Sequence, residues 1–161
     1  MNREVENKVE RFKKIDDNTN PLFFILGPCA IESESHCIKI AEFIKTLSIK
    51  LKFNFIFKSS FDKANRTALQ NYRGVGFEQG LKILDKVKSQ LEIPVITDVH
   101  EISQVNPVAD VVDVLQIPAF LCRQTDLLIA AGKTGKIINV KKGQFLNPEA
   151  MESVVKKIRS S

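Results

Sequence analysis

The stretch FKSSFDKANRT, residues 57–67, carries an apolar run straight into charge. Phe53-Asn54-Phe55-Ile56-Phe57 reads as a buried strand. Lys58, Lys63 and Arg66 follow within nine residues, interleaved with Ser59, Ser60 and Asn65. An ammonium at the end of a buried strand is costly unless an anion meets it. Lys is a compact point charge and Arg a planar fork, the two shapes that grip carboxylates and phosphates. Lys141, in the NVKKGQ stretch, is a fourth cation able to join them. The plainer reading pairs each cation with a protein carboxylate such as Asp62 or Asp98. For one lysine that reading is preferred; for cations recurring at separate strand exits, an anion pocket is.

Other candidates carry an ordinary reading beside the chemical one. Cys29 follows Gly27-Pro28 at the exit of the first apolar run, where a thiolate can ligate a metal or attack carbon. A free cysteine is more often a small buried hydrophobe. His100 beside Asp98 makes an oriented imidazole, a metal ligand or a satisfied structural histidine. His36, in the first turn of a helix, reads as solvated. Gly132-Lys133-Thr134 echoes the end of a P-loop, but the upstream glycine would fall on Leu127. Gly74-Val75-Gly76 lacks the third glycine of a dinucleotide fingerprint, which would be Gln79. Both are turn chemistry.

The elements that must position these residues alternate short apolar runs with amphipathic stretches. Residues 21–26, 53–57, 94–97, 111–117 and 137–140 read as strands. Helices are expected over 34–48 with Ser33 as N-cap, over 77–91, over 101–105 stopped by Pro107, over 124–131, and from Asn147-Pro148-Glu149 onward. Five β-α units in series demand parallel strands with helical crossovers. Strands apolar on both faces suit a sheet covered on both sides. A doubly wound sheet and a (β/α)8 barrel both fit, although a barrel takes about 250 residues. In either, ligands gather where strands end. The unusual polar residues fall there: Cys29 after the first strand, residues 58–67 after the second, Asp98 and His100 after the third. Gln116, Pro118, Ala119 and Arg123 follow the fourth, and Lys141 the fifth.

At 161 residues the chain is one domain by length, and its 43% hydrophobic and 27% charged content is that of a globular protein. The first twenty residues, of mixed charge, read as a short helix or lead-in without a signal peptide's apolar centre. No apolar run approaches the ~20 residues of a membrane span. Three cysteines without CxxC spacing fit a reducing compartment. The net charge of +5 permits nucleic acid, but one Tyr and no Trp leave little for base stacking, so neither nucleic acid nor membrane is expected as a partner.

Taken together, GPCAIES, FKSSFDKANR, YRGVGFEQG, ITDVHE, QIPAFLCRQTDL and INVKKGQF resemble 3-deoxy-D-manno-octulosonate 8-phosphate synthase (2-dehydro-3-deoxyphosphooctonate aldolase), from about residue 21 to the last. The sister synthases that open aromatic amino-acid biosynthesis, the 3-deoxy-7-phosphoheptulonate synthases, share the chemistry but normally lack DKANR. The resemblance implies a (β/α)8 barrel that condenses phosphoenolpyruvate with D-arabinose 5-phosphate, for lipopolysaccharide precursor synthesis in the cytoplasm. It implies that Lys58 and Lys63 hold the carboxylate region of phosphoenolpyruvate and Lys141 its phosphate, with Gln116, Pro118 and Ala119 shaping that pocket. Ser60, Asn65, Arg66 and Thr67 fall in the substrate-binding stretch, the last three on arabinose 5-phosphate. The resemblance further implies that Arg123 reaches a phosphate across a subunit boundary of a tetramer and that Asp98 and His100 lie at the reacting centre. Cys at position 29, where other members have Asn, marks the metal-dependent class, with Cys29 a ligand to a divalent ion.

The match stops at residue 161, so the expectation is a truncated barrel: an N-terminal extension over 1–20 and about five β/α units over 21–161. Its first and fifth strands would be open edges. Activity of such a chain alone is expected to be little or none. Two readings stay open, a half-enzyme needing a complementary C-terminal chain and a non-catalytic remnant.

Overall fold

The structure, a computed structural model, describes residues 22–161; the N-terminal extension expected over 1–20 lies outside them. The chain comprises two compact units, one whose described residues are 22–96 and one spanning Thr97–Ser161.

In the first unit β1 (Phe23–Leu26) pairs in parallel with β2 (Asn54–Lys58), Phe23 opposite Asn54 and Leu26 opposite Phe57. β3 (Val95–Asp98) opens beside β2, Phe57 opposite Val95 and Lys58 opposite Ile96. Helix α1 (Glu34–Leu51) links the first pair and α2 (Phe77–Leu91) leads into β3. Ser33 caps α1, its hydroxyl accepting from the His36 N–H at 3.2 Å. Apolar side chains at helical spacing, Cys37, Ala41 and Ile44 on α1 and Ile83, Leu84 and Val87 on α2, are buried together with Phe55, Ile56 and Phe57 of β2. Lys45 crosses from α1 to the Leu91 carbonyl at 2.7 Å, and Lys86 pairs with Glu34.

In the second unit α3 (Ile102–Val111) leads to β4 (Val114–Ile117), then a 3-10 turn (Ala119–Leu121), α4 (Thr125–Gly132), β5 (Ile137–Val140) and α5 (Met151–Arg159). β4 and β5 are parallel, Val114 opposite Ile137 and Ile117 opposite Val140. Two expectations are corrected here. Pro107 does not stop the helix but lies inside α3. The lost N–H and ring clash cost about 3 kcal/mol, and burial of Val105, Val108 and Ala109 on one face offsets that. Val111 therefore ends α3 instead of opening β4.

Strands neighbour one another in chain order, β1-β2-β3-β4-β5. A doubly wound sheet reverses its order at a switch point; the described strands do not. The fold is α/β of the (β/α)8 type, represented among the described residues by five β/α units. Among the described strands β1 and β5 have one neighbour each. Phe24 and Ile25 of β1 are 37% and 39% exposed, whereas every residue of β3 and β4 is buried.

Candidate active site at the strand ends

In the first unit two of the expected cations, Lys58 and Lys63, meet at one oxygen. Lys58 closes β2, and its ammonium donates to the Ser60 hydroxyl at 2.5 Å; Lys63 donates to the same oxygen at 2.8 Å. The two nitrogens are thus no farther apart than those two bonds laid end to end. Like charges that close repel, and an anion laid against them eases that repulsion. Ser60 is fully buried and fixed by its backbone: Ile31 N–H donates to its carbonyl at 2.9 Å, and its own N–H donates to the Cys29 carbonyl at 3.4 Å. That bridge sets the exit of β1, Cys29 included, beside the exit of β2. Asp62, a rival carboxylate, is engaged by Arg73 through two bonds of 2.8 and 2.6 Å.

Asn65 and Thr67 are exposed on the turn that follows, and the Arg66 guanidinium donates to the Leu69 carbonyl at 3.2 Å. The Cys29 side chain is exposed. Among the described residues no three of His, Cys, Asp and Glu are gathered as a metal site. Cys37 is buried behind the site; burial pushes its thiol up to about 11, against a lowering hydrogen bond with Ser59. It is therefore neutral at physiological pH and no nucleophile. The folded state keeps a proton that the unfolded state releases from pH 9, so stability is level below pH 9 and falls between 9 and 11, by about 2–3 kcal/mol. Urea titrations across that window should show the fall, and Cys37→Ala should flatten it.

In the second unit the sequence candidates form two groups. Asp98 is buried, and its carboxylate meets the His100 Nε2 at 2.9 Å, while the His100 N–H donates to the Gln104 side chain at 2.9 Å. His100 also lines a hollow of about 450 Å³ with Glu101, Ser103, Gln124 and Asp126. The other group lies at the ends of β4 and β5. Gln116 accepts from the Asn139 amide at 3.0 Å, and the Lys141 N–H donates to the Ile117 carbonyl at 3.0 Å, just before Pro118 and Ala119. Arg123 is apart from these, exposed on a 220 Å³ hollow that it lines with Ser153 and Lys157. Sequence reading did not single out Asn139, Gln104 or Arg73. Asn139 was legible in principle, because strand register puts it opposite Gln116.

The family model described as the DAHP synthetase I family matches residues 4–161. A protein of Koribacter versatilis (strain Ellin345) named 2-dehydro-3-deoxyphosphooctonate aldolase is 54% identical over 151 residues, 94% of this chain and 54% of its own length. A Pisum sativum protein of the same name is 59% identical over 140 residues, 87% of this chain and 48% of its own. In Arabidopsis thaliana 2-dehydro-3-deoxyphosphooctonate aldolase 1 is 57% identical over 139 residues, 86% of this chain and 48% of its own. The chain spans about half the length of the curated relatives it matches. With its parallel strands in chain order and its polar residues at their exits, the chain belongs to the DAHP synthetase I family, where it is similar to 2-dehydro-3-deoxyphosphooctonate aldolases.

Proposed function

We propose that this chain carries the phosphoenolpyruvate-binding part of an enzyme that joins phosphoenolpyruvate to D-arabinose 5-phosphate, giving 3-deoxy-D-manno-octulosonate 8-phosphate and phosphate. The reading is supported chiefly by two ammonium groups, Lys58 and Lys63, held on the single buried oxygen of Ser60. Carbon 3 of the enol attacks the sugar aldehyde, water adds at carbon 2, and phosphate leaves with its C–O bond. Charge moves from the enol phosphate to the departing phosphate and the new alkoxide. Fixed cations stabilise such moving charge without reorganising, commonly the largest catalytic contribution.

In this reading Lys58 and Lys63 grip the carboxylate region of phosphoenolpyruvate. Lys141 takes its phosphate beside Gln116, Pro118 and Ala119. Asn65, Arg66 and Thr67 receive arabinose 5-phosphate, which asks the Arg66 guanidinium to leave the Leu69 carbonyl. The Asp98–His100 pair is the proton-handling group at the reacting carbon. Cys29 would supply one thiolate ligand to a divalent ion. Arg123 serves a neighbouring subunit of a homo-oligomer, and the product feeds lipopolysaccharide synthesis in the cytoplasm.

Calorimetric titration of the chain with phosphoenolpyruvate is expected to give a dissociation constant of about 1 mM or tighter. Turnover is expected only after mixing with a chain that carries the later β/α units. Binding without turnover in any such mixture favours a non-catalytic remnant; no binding overturns the proposal.

A further inference from the structure

Between Lys58 and Phe77 the chain forms neither helix nor strand, yet Lys63 must hold its ammonium on Ser60. The segment 73–76 grips the three residues that precede and include Lys63. Arg73 does so twice: its carbonyl accepts the Lys63 N–H at 2.5 Å, and its guanidinium forks onto both oxygens of Asp62. That carboxylate raises the guanidinium pKa further, by hydrogen bonding first and charge second. Next door, Gly74 lies so close to Phe61 that a Cβ on it would stand 2.2 Å from the Phe61 carbonyl oxygen. The Gly76 N–H donates to that same oxygen at 3.1 Å. Phe61 is 1% exposed, its ring edge-on to Phe77 at 5.4 Å. Phe61, Asp62 and Lys63 are thus docked in turn, the first into the core and the next two onto Arg73.

We propose that Arg73 is a positioning residue for Lys63: its carbonyl and its fork on Asp62 together hold the Lys63 ammonium at the Ser60 oxygen. The proposal deepens the anion-site reading and rests on it for its functional consequence. A surface pair with its arginine 56% exposed adds little to global stability. Its effect is local, on where one ammonium is placed, and small misplacement of a gripping group carries large losses in binding.

The test compares the parent chain with Asp62→Asn, Arg73→Met and the double variant, by amide hydrogen exchange at residue 63 and by calorimetric titration with phosphoenolpyruvate. In each single variant the residue-63 amide is expected to exchange at least about tenfold faster while the β2 amides are unchanged, with affinity about tenfold weaker. The double variant is expected to be no worse than either single one. Asp62→Asn decides the mechanism, because removing a negative charge near an anion site tightens binding by charge alone. Tighter or unaltered affinity in Asp62→Asn, or unaltered exchange at residue 63, overturns the proposal. Arg73→Lys, which keeps the charge without the fork, should resemble Arg73→Met; full parental affinity in it would show that charge alone suffices and would also overturn the fork's role. If the parent chain fails to bind phosphoenolpyruvate while exchange responds as expected, the anion-site reading falls and the positioning of Lys63 stands.

Discussion

Lys63→Met is expected to weaken phosphoenolpyruvate binding by about 10- to 100-fold, with a thermal midpoint equal to or above that of the parent chain. A hydrogen bond to a charged group is worth about 1.5–3 kcal/mol, and each 1.4 kcal/mol is about a factor of ten. The midpoint should hold because the Lys63 ammonium shares the Ser60 oxygen with that of Lys58. Two like charges sharing one oxygen repel by roughly 1–4 kcal/mol, depending on how much water reaches them. Methionine keeps the aliphatic stem and removes one charge. Titration and a thermal scan on the same sample separate the outcomes. Parental affinity would end the anion-site reading, and a midpoint many degrees lower would make Lys63 a structural residue.

Gly27→Ala is expected to destabilise the fold by about 3–5 kcal/mol. A Cβ at Gly27 would stand 2.0 Å from the Lys58 carbonyl oxygen, with the Lys58 carbonyl carbon at 2.9 Å and its nitrogen at 3.0 Å. These are backbone atoms of a paired strand, so no rotamer change relieves the overlap. Either β1 or β2 must shift, and Lys58 with it. Gly135→Ala is the control: it has φ +69 but nothing within 4 Å, and left-handed strain alone costs about 1–2 kcal/mol. Urea denaturation of both variants measures the difference. Equal losses would mean that the close approach of Gly27 to Lys58 contributes nothing beyond backbone strain.

Much of the fold was legible because periodicity and caps are local. Ser33 caps α1 as its position predicts, and β5 covers the apolar run Ile137–Val140. What was misread depended on partners distant in sequence. Pro107 reads as a stop, yet the helix continues because Val105, Val108 and Ala109 are buried on one face. α1 runs to Leu51 and ends on Lys52 in the left-handed conformation, where no glycine marks the end. At the site, lysines at an apolar strand's exit are conspicuous in one dimension, so Lys58 and Lys63 stood out. The Arg73 fork on Asp62 did not, since those residues are eleven apart with no regular element between them. Arg66 illustrates the converse: its charge was plain, but not that its guanidinium turns to Leu69.

The succession of strands in chain order has a consequence for synthesis. When a strand leaves the ribosome, the neighbour it must pair with has already been made, only one helix earlier. Among the described strands each pairing joins neighbours in the chain, so loop closure between them stays cheap and pairing can keep pace with elongation. A nascent chain of this design should gain protease resistance stepwise, one strand and helix at a time.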